Sequence, residues 1–151
     1  MKFLSENRKV RFDYEILETF EAGVVLTGQE VKSVMGGRAD LTASYVIVKP
    51  SGAYILNSKI PAYQPKNTPK EYDPERNRQL LLHKDQLNYL MGKAKEGRLT
   101  IVPLSLYNKN HRIKVSIGLA RSKKKLDKRE TIKKRETDRE IRRAFKKIKR
   151  G

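Results

Sequence analysis

Between Arg112 and Leu119 every second residue is aliphatic: Ile113, Val115, Ile117 and Leu119 alternate with Lys114, Ser116 and Gly118. A period of two sends one set of side chains to each face of an extended strand, so this stretch predicts a strand with one buried face. Asn108-Lys109-Asn110 separates it from the apolar run Leu99 to Tyr107, which makes the two a hairpin. Tyr45 to Lys49 and Ala53 to Asn57 flank Pro50-Ser51-Gly52 in the same way. Arg11 to Glu18, RFDYEILE, sets Phe12, Tyr14 and Ile16 against Arg11, Asp13 and Glu15 and predicts a further half-buried strand. The Glu21-Ala22-Gly23 corner then leads into VVLTG, with Gly23 suited to a turn or bulge joining two such strands. Roughly six short strands in a small sheet would leave exposed edges. The expected fold is therefore mainly β with short helices, a closed or partly closed antiparallel barrel.

Helices interrupt the strands twice. Val31, Val34 and Met35 predict a short helix ended by Gly36-Gly37, and Leu87, Leu90, Met91 and Ala94 a longer one ended by Gly97. Both stripes are read as facing the core. Ile60 to Gln79 holds Pro61, Pro65, Pro69 and Pro74, four of the six prolines, and is read as a long irregular connection of the kind that often carries function. It ends in Arg76 and Arg78, followed by Leu80-Leu81-Leu82.

Past Ala120 the pattern changes. Of the net charge of +18, residues 1–120 carry 19 Lys/Arg against 12 Asp/Glu, net +7, and residues 121–151 carry 16 against 5, net +11. The organisation expected is a folded body over 1–120 and a basic tail over 121–151. Charge of this size points to a polyanionic partner, nucleic acid first. The only apolar residues of the tail are Leu126, Ile132, Ile141, Ala144, Phe145 and Ile148, too few to offset the entropy of ordering it alone. Even so, Thr131 to Arg150 contains neither Gly nor Pro, and Glu130–Lys134 and Asp138–Arg142 place an acid four residues before a base. Ile141, Phe145 and Ile148 line up as one helical stripe. The tail is expected to be disordered when free and helical when bound, with twenty helical residues reaching about 30 Å. A solvated run that only aids solubility is the plainer alternative, and the aligned stripe weighs against it.

The chain has no cysteine, so it has no disulfide framework or thiolate metal site. MKFLSENRKVRF lacks the apolar stretch of a signal peptide, and no apolar run approaches membrane-spanning length, so a cytoplasmic protein without a membrane partner is expected. His83 and His111 have no partner at metal-ligand spacing. Gly23 to Gly28 and Gly92 to Gly97 match GxxxxG, yet Gln29-Glu30 and Arg98-Leu99 stand where a phosphate loop needs Lys and then Ser or Thr. There is no GxSxG, and the carboxylates are scattered. No catalytic residue, metal or cofactor is expected, and the chain is read as not an enzyme.

Several runs occur together in order: Asn7-Arg8-Lys9, Asp13-Tyr14, Glu21-Ala22-Gly23, Gly28-Gln29-Glu30-Val31-Lys32-Ser33 and Ser44-Tyr45. They continue through Arg78-Gln79-Leu80-Leu81-Leu82-His83-Lys84, Val102-Pro103-Leu104, Leu106-Tyr107, Lys114-Val115, Gly118-Leu119-Ala120 and Asp127-Lys128-Arg129. In these runs the chain resembles, over nearly its whole length, the small protein B (SmpB) family, also called SsrA-binding protein, the bacterial partner of transfer-messenger RNA (tmRNA, or SsrA RNA). EVKS, LLLHK, VPLxLY and DKR are jointly specific. Departures are Met35 where the family commonly has Leu-Arg, Gln79 where Lys is usual, and Ser122 where Gly often precedes the lysines; Gln79 puts one phosphate contact in doubt.

The resemblance implies an oligonucleotide-binding-fold-like antiparallel β-barrel that clasps the tRNA-like domain of tmRNA. It implies a non-enzymatic adaptor for trans-translation, the rescue of ribosomes stalled on messages lacking a stop codon. The RNA contact would depend on residues matching Glu21, Leu81 and Lys114, with Arg76, Arg78 and Lys32 as further cationic candidates. Lys114 alternates outward, so its ammonium is free to meet a phosphate. Glu21, read as lying at a turn, either accepts hydrogen bonds from ribose or base or fixes the loop itself. Leu81 is expected to support the RNA-facing surface by packing. Phe12 and Tyr14 either stack on unpaired bases or belong to the core, which their alternation favours. Asp127-Lys128-Arg129 match the DKR motif, and the distal tail would lie in the decoding centre and empty message channel of the small ribosomal subunit. There Arg142, Arg143, Lys146 and Lys147 would meet rRNA phosphate, and Ile141 and Phe145 would fit against base or sugar. Elongation factor Tu and alanyl-tRNA synthetase are implied only indirectly, through tmRNA. A structural ribosomal protein or assembly factor is the second reading and a nuclease the third.

Overall fold

The computed structural model describes residues 2–123 and residue 139. In chain order the elements are β1 (Lys2–Glu6), α1 (Arg8–Asp13), β2 (Tyr14–Val24), α2 (Gly28–Met35), β3 (Tyr45–Lys49) and β4 (Gly52–Leu56). After a single 3-10 turn at Pro65–Asn67 come β5 (Arg78–Leu81), α3 (Lys84–Ala94), β6 (Leu99–Lys109) and β7 (Arg112–Ser122). Every pairing is antiparallel, in the order β1-β6-β3-β4-β5-β2-β7, and β7 pairs again with β6. Six strands thus close a ring, the antiparallel barrel expected. One edge of β6 is shared: β3 takes Ile101 through Val46, and β1 takes the stretch from Ser105 to Asn108.

Val115, Ile117 and Leu119 of β7 point into the ring, where Val46, Ile55, Leu80 and Ile101 meet them beneath Val34 of α2 and Leu90 of α3. A second, smaller core lies outside the ring: Val10 of α1 packs on Val102, Leu104 and Ala120, flanked by Tyr14 and Ile16. This explains why β6 is buried continuously from Ile101 to Tyr107. Both hairpins form, with tighter turns than expected: Gly52 belongs to β4, and Asn108 and Lys109 to β6. In the second, Asn110 and His111 take φ of 53° and 61°, the two left-handed residues of a type I′ turn that matches the twist of the strands it joins.

Four readings are corrected. Arg11 to Glu18 is not one strand: α1 runs to Asp13 and β2 starts at Tyr14, because Val10 seats a helical turn on the outer face of β6 and β7. Phe12, half-buried near the end of α1, therefore does not share a strand face with Tyr14 and Ile16, which flank the smaller core. No turn occurs at Gly23, since β2 continues to Val24, and the register shift falls between Ile16 and Glu18. Met35 is 40% exposed at the end of α2, whose core contact is Val34. Finally, β7 runs two residues past the expected boundary at 120, and the Lys123 N–H donates to the Asp13 carbonyl at 3.0 Å. β1 and β5 are strands that the sequence pattern did not suggest.

α2 begins at a capping box: Thr27 Oγ1 accepts from the Glu30 N–H and Glu30 Oε1 from the Thr27 N–H. The Glu30 side chain is 1% exposed and meets two guanidinium groups. Arg78 donates to its Oε2 at 2.6 and 2.8 Å, and Arg76 bonds both of its oxygens. Burial alone would raise the Glu30 pKa, but the hydrogen bonds from Arg76, Thr27 and Arg78 hold it down to about 2. Arg78 also donates to Ser58 O, Ser58 Oγ and Pro74 O, and Tyr72 donates to Ile60 O at 2.7 Å. The proline-rich connection is thereby tied to α2 and the barrel wall.

Candidate nucleic-acid interface

The register places three of the candidate residues side by side. Gly23 of β2 stands opposite Lys114 of β7 on one side and opposite Leu81 of β5 on the other. Adjacent strands lie about 4.8 Å apart and same-face residues recur every second position. Glu21, two residues before Gly23, therefore shares the outer face with Lys114 and Leu81. Gly23 makes this approach close: a Cβ there would lie 3.3 Å from Leu81 Cβ. Leu81 is 56% exposed, so it presents an apolar side chain to solvent and does not support the surface from beneath as expected. Leu81, Lys114, Met35 and Arg112 border a shallow cleft of about 440 Å³. An apolar patch beside cations suits a nucleotide, whose sugar and base meet the one and whose phosphate meets the other.

Glu21 lies within a strand, not at a turn. Its Oε2 accepts from Tyr107 Oη at 2.6 Å and from Lys109 Nζ at 3.2 Å. These bonds, with a longer one of 3.4 Å from Lys109 Nζ to Oε1, tie β2 to β6 across β7 and fix no loop, and the side chain stays 39% exposed. The Tyr107 hydrogen bond, followed by Lys109 and Lys114, keeps the Glu21 carboxyl below its ordinary pKa. Burial and the same carboxylate push the Tyr107 hydroxyl up, so it remains a donor.

Glu21 also forms one wall of a second, larger cleft of about 490 Å³ between α1, β1 and the outer face of β2 and β7. Phe3 stands at its mouth, 55% exposed and edge-on to Tyr107 with ring centroids 6.0 Å apart. Arg8 and Arg11 of α1 stand at its rim. Sequence reasoning assigned no role to Phe3, Tyr107, Arg8 or Arg11. Asn7-Arg8-Lys9 was a recognised run, but without β1 there was no groove to place it in.

The other cationic candidates separate. Arg78, 0% exposed and spent on Glu30, is not an RNA contact in this fold. Arg76 also pairs with Glu30, with part of its guanidinium left at the surface. Lys32 is exposed on α2, its Nζ 5.7 Å from the Tyr63 ring centroid. Asp127, Lys128, Arg129, Ile141, Arg142, Arg143, Phe145, Lys146 and Lys147, and the conformation expected of the tail, lie outside the described residues. Among the described residues no helix is long and apolar enough to cross a membrane.

Comparison with known proteins places this surface in context. The family model described as SmpB protein matches residues 4–147. The SsrA-binding protein of Thermosynechococcus vestitus is 48% identical over 146 residues, 97% of this chain and 96% of that protein. That of Shouchella clausii is 45% identical over 150 residues, 99% and 96% of the two. A chain from the solved structure "tmRNA-SmpB: a journey to the center of the bacterial ribosome" superposes with a TM-score of 0.67 at 46% identity, covering 80% of this chain and 85% of that one.

Proposed function

Because this chain belongs to the SmpB family, we propose that it is a non-enzymatic adaptor that binds the tRNA-like domain of tmRNA and brings it to stalled ribosomes for trans-translation. The observation that carries the reading at residue level is the juxtaposition of Glu21, Lys114 and Leu81 around Gly23 on one outer face of the barrel. Those residues match the family's RNA-contact positions, and their chemistry is complementary to a nucleotide. The barrel supplies specific RNA affinity. The tail, with most of the net positive charge, engages ribosomal RNA in the decoding centre and the vacant message channel, where DKR and the Ile141/Phe145 stripe would act. A channel already filled by message would deny it those phosphates. The site of action is the cytoplasm, and elongation factor Tu and alanyl-tRNA synthetase meet the adaptor through the RNA they share.

The test is a titration of the full chain against the tRNA-like RNA and against an unrelated hairpin of equal length, at several salt concentrations. The adaptor prefers the tRNA-like RNA at every salt. Equal affinity for both would mean that only counterion release drives binding and would refute the proposal.

A further inference from the structure

The cleft beside α1 is large enough for a nucleoside and poorly suited to a phosphate. Two carboxylates stand in it, Glu6 and Glu21, and among the described residues Glu6 is offset only by Arg8 at 3.8 Å. Glu21 stays ionised and is held in place by Tyr107. Its Oε1 accepts only a long bond from Lys109 Nζ, at 3.4 Å among the described residues, and the side chain lines the cleft while 39% exposed, so a carboxylate with four acceptor sites keeps capacity for a ligand. The floor is rigid: the Asn7 side chain donates to Leu41 O and Pro103 O, both at 3.1 Å, and its N–H to Leu104 O at 2.8 Å. Among the lining residues the cations are Arg8 and Arg11, the Arg8 side chain 91% exposed, while Lys109 pairs with Glu21 from outside the lining.

An acceptor-lined interior with an aromatic mouth and a cationic rim selects a flat group that carries hydrogen-bond donors and is flanked by phosphates. We infer that this cleft takes one unpaired guanosine of the bound RNA, its Watson–Crick edge on the Glu21 carboxylate, its ring against Phe3 and its flanking phosphates at Arg8 and Arg11. The inference rests on the RNA-binding reading above and adds a base identity to it. Guanine alone among the four bases offers two adjacent donors on that edge, N1–H and N2–H, matching the two oxygens of a carboxylate. Adenine and cytosine set an acceptor beside their amino group, and uracil flanks its single N–H with two carbonyls, so each would face Glu21 with a repelling lone pair. Exposed aromatic rings stack on bases regardless of sequence, so Phe3 supplies affinity and Glu21 the choice.

The experiment replaces each unpaired guanosine of the tRNA-like RNA in turn by inosine, which lacks only the N2 amino group, and measures affinity for the full-length protein. One position should lose about tenfold, the effect of one hydrogen bond to a charged acceptor. With Glu21→Gln the native RNA should bind about tenfold more weakly, and inosine at that position should cost nothing further. Phe3→Ala should weaken binding while leaving the inosine penalty intact. Preference for the tRNA-like RNA with every inosine tolerated within twofold, or a penalty that persists in Glu21→Gln, would overturn the guanosine assignment alone. Absence of any preference for the tRNA-like RNA would overturn the adaptor reading together with it.

Discussion

Replacing Glu30 by Gln removes the one negative charge that two arginines share inside the fold. The carboxyl stands at about 2 in the folded protein against an ordinary value of 4.5. That difference corresponds to about 3 kcal/mol of folding free energy, since each pKa unit is worth about 1.4 kcal/mol. Because the folded-state pKa is the lower one, this stabilisation is complete above pH 4.5 and is lost as pH falls through about 2. A second route gives the same size: Arg78, 0% exposed, would keep its charge without a counterion, and breaking a buried pair from one side costs about 3–5 kcal/mol. Ser58 and Pro74 still accept from Arg78, which favours the lower end. Urea unfolding followed by circular dichroism should therefore place Glu30→Gln about 3 kcal/mol below the parent at pH 7. The gap should narrow to about half by pH 3, where the parent carboxylate has spent part of its advantage. Glu30→Leu combined with Arg78→Met should recover most of the loss, because an apolar pair of similar volume needs no desolvated charges. A cost under 1 kcal/mol at pH 7, or one unchanged between pH 7 and pH 3, would refute the account of this cluster as the device holding the proline-rich connection.

Three further outcomes are expected. Lys114→Ala should weaken binding of the tRNA-like RNA and reduce the magnitude of its log–log salt slope by about 1, as removal of one phosphate contact does; an unchanged slope would place Lys114 off the RNA backbone. Gly23→Val should cost about 1–3 kcal/mol by crowding and push Leu81 out of register, so that both urea stability and RNA affinity fall. A chain ending after Lys123 should keep its affinity for the tRNA-like RNA in a binding titration and lose tagging in a stalled-translation assay; loss of all affinity would show that body and tail do not divide the work.

The elements written most plainly in the sequence are those whose side chains obey a single period. β7 alternates from Arg112 to Leu119, and the hairpins that it and β4 complete are written in their flanking strands more than in their turns, since Gly52 belongs to β4 and Asn108 and Lys109 to β6. β5 was hidden because Arg78 occupies an inward position: its burial alternates Arg78 in, Gln79 out, Leu80 in, Leu81 out, yet an arginine reads as a surface residue until a carboxylate is known to meet it. Glu30 is that carboxylate, 48 residues earlier in the chain, a distance no local pattern spans. The same pairing turns a residue that reads as a surface cation into a buried one. α1 was missed because three alternating residues fit a strand as well as a helical turn, and only the packing of Val10 on β6 and β7 decides between them. Resemblance alone singles out Glu21, and its partner Tyr107, 86 residues later, is a tertiary fact. The groove formed by β1 and α1 followed from neither pattern nor motif.

β7 is the strand on which the ring depends, pairing with β6 on one side and with β2 on the other. It is also the last of the described strands, so β2, made near the start, waits about a hundred residues for the partner that joins Tyr14 to Ser122. A nascent chain that has not reached Arg112 holds two long strands with an open edge each and no means of covering them. Closure is then a late event with a large loop-entropy cost, and the barrel should fold as one cooperative unit soon after β7 emerges, not strand by strand during synthesis. An adaptor that rescues interrupted synthesis would itself be intolerant of interruption: truncated forms of it ending before β7 would display raw sheet edges and be cleared, never accumulating as partial RNA binders.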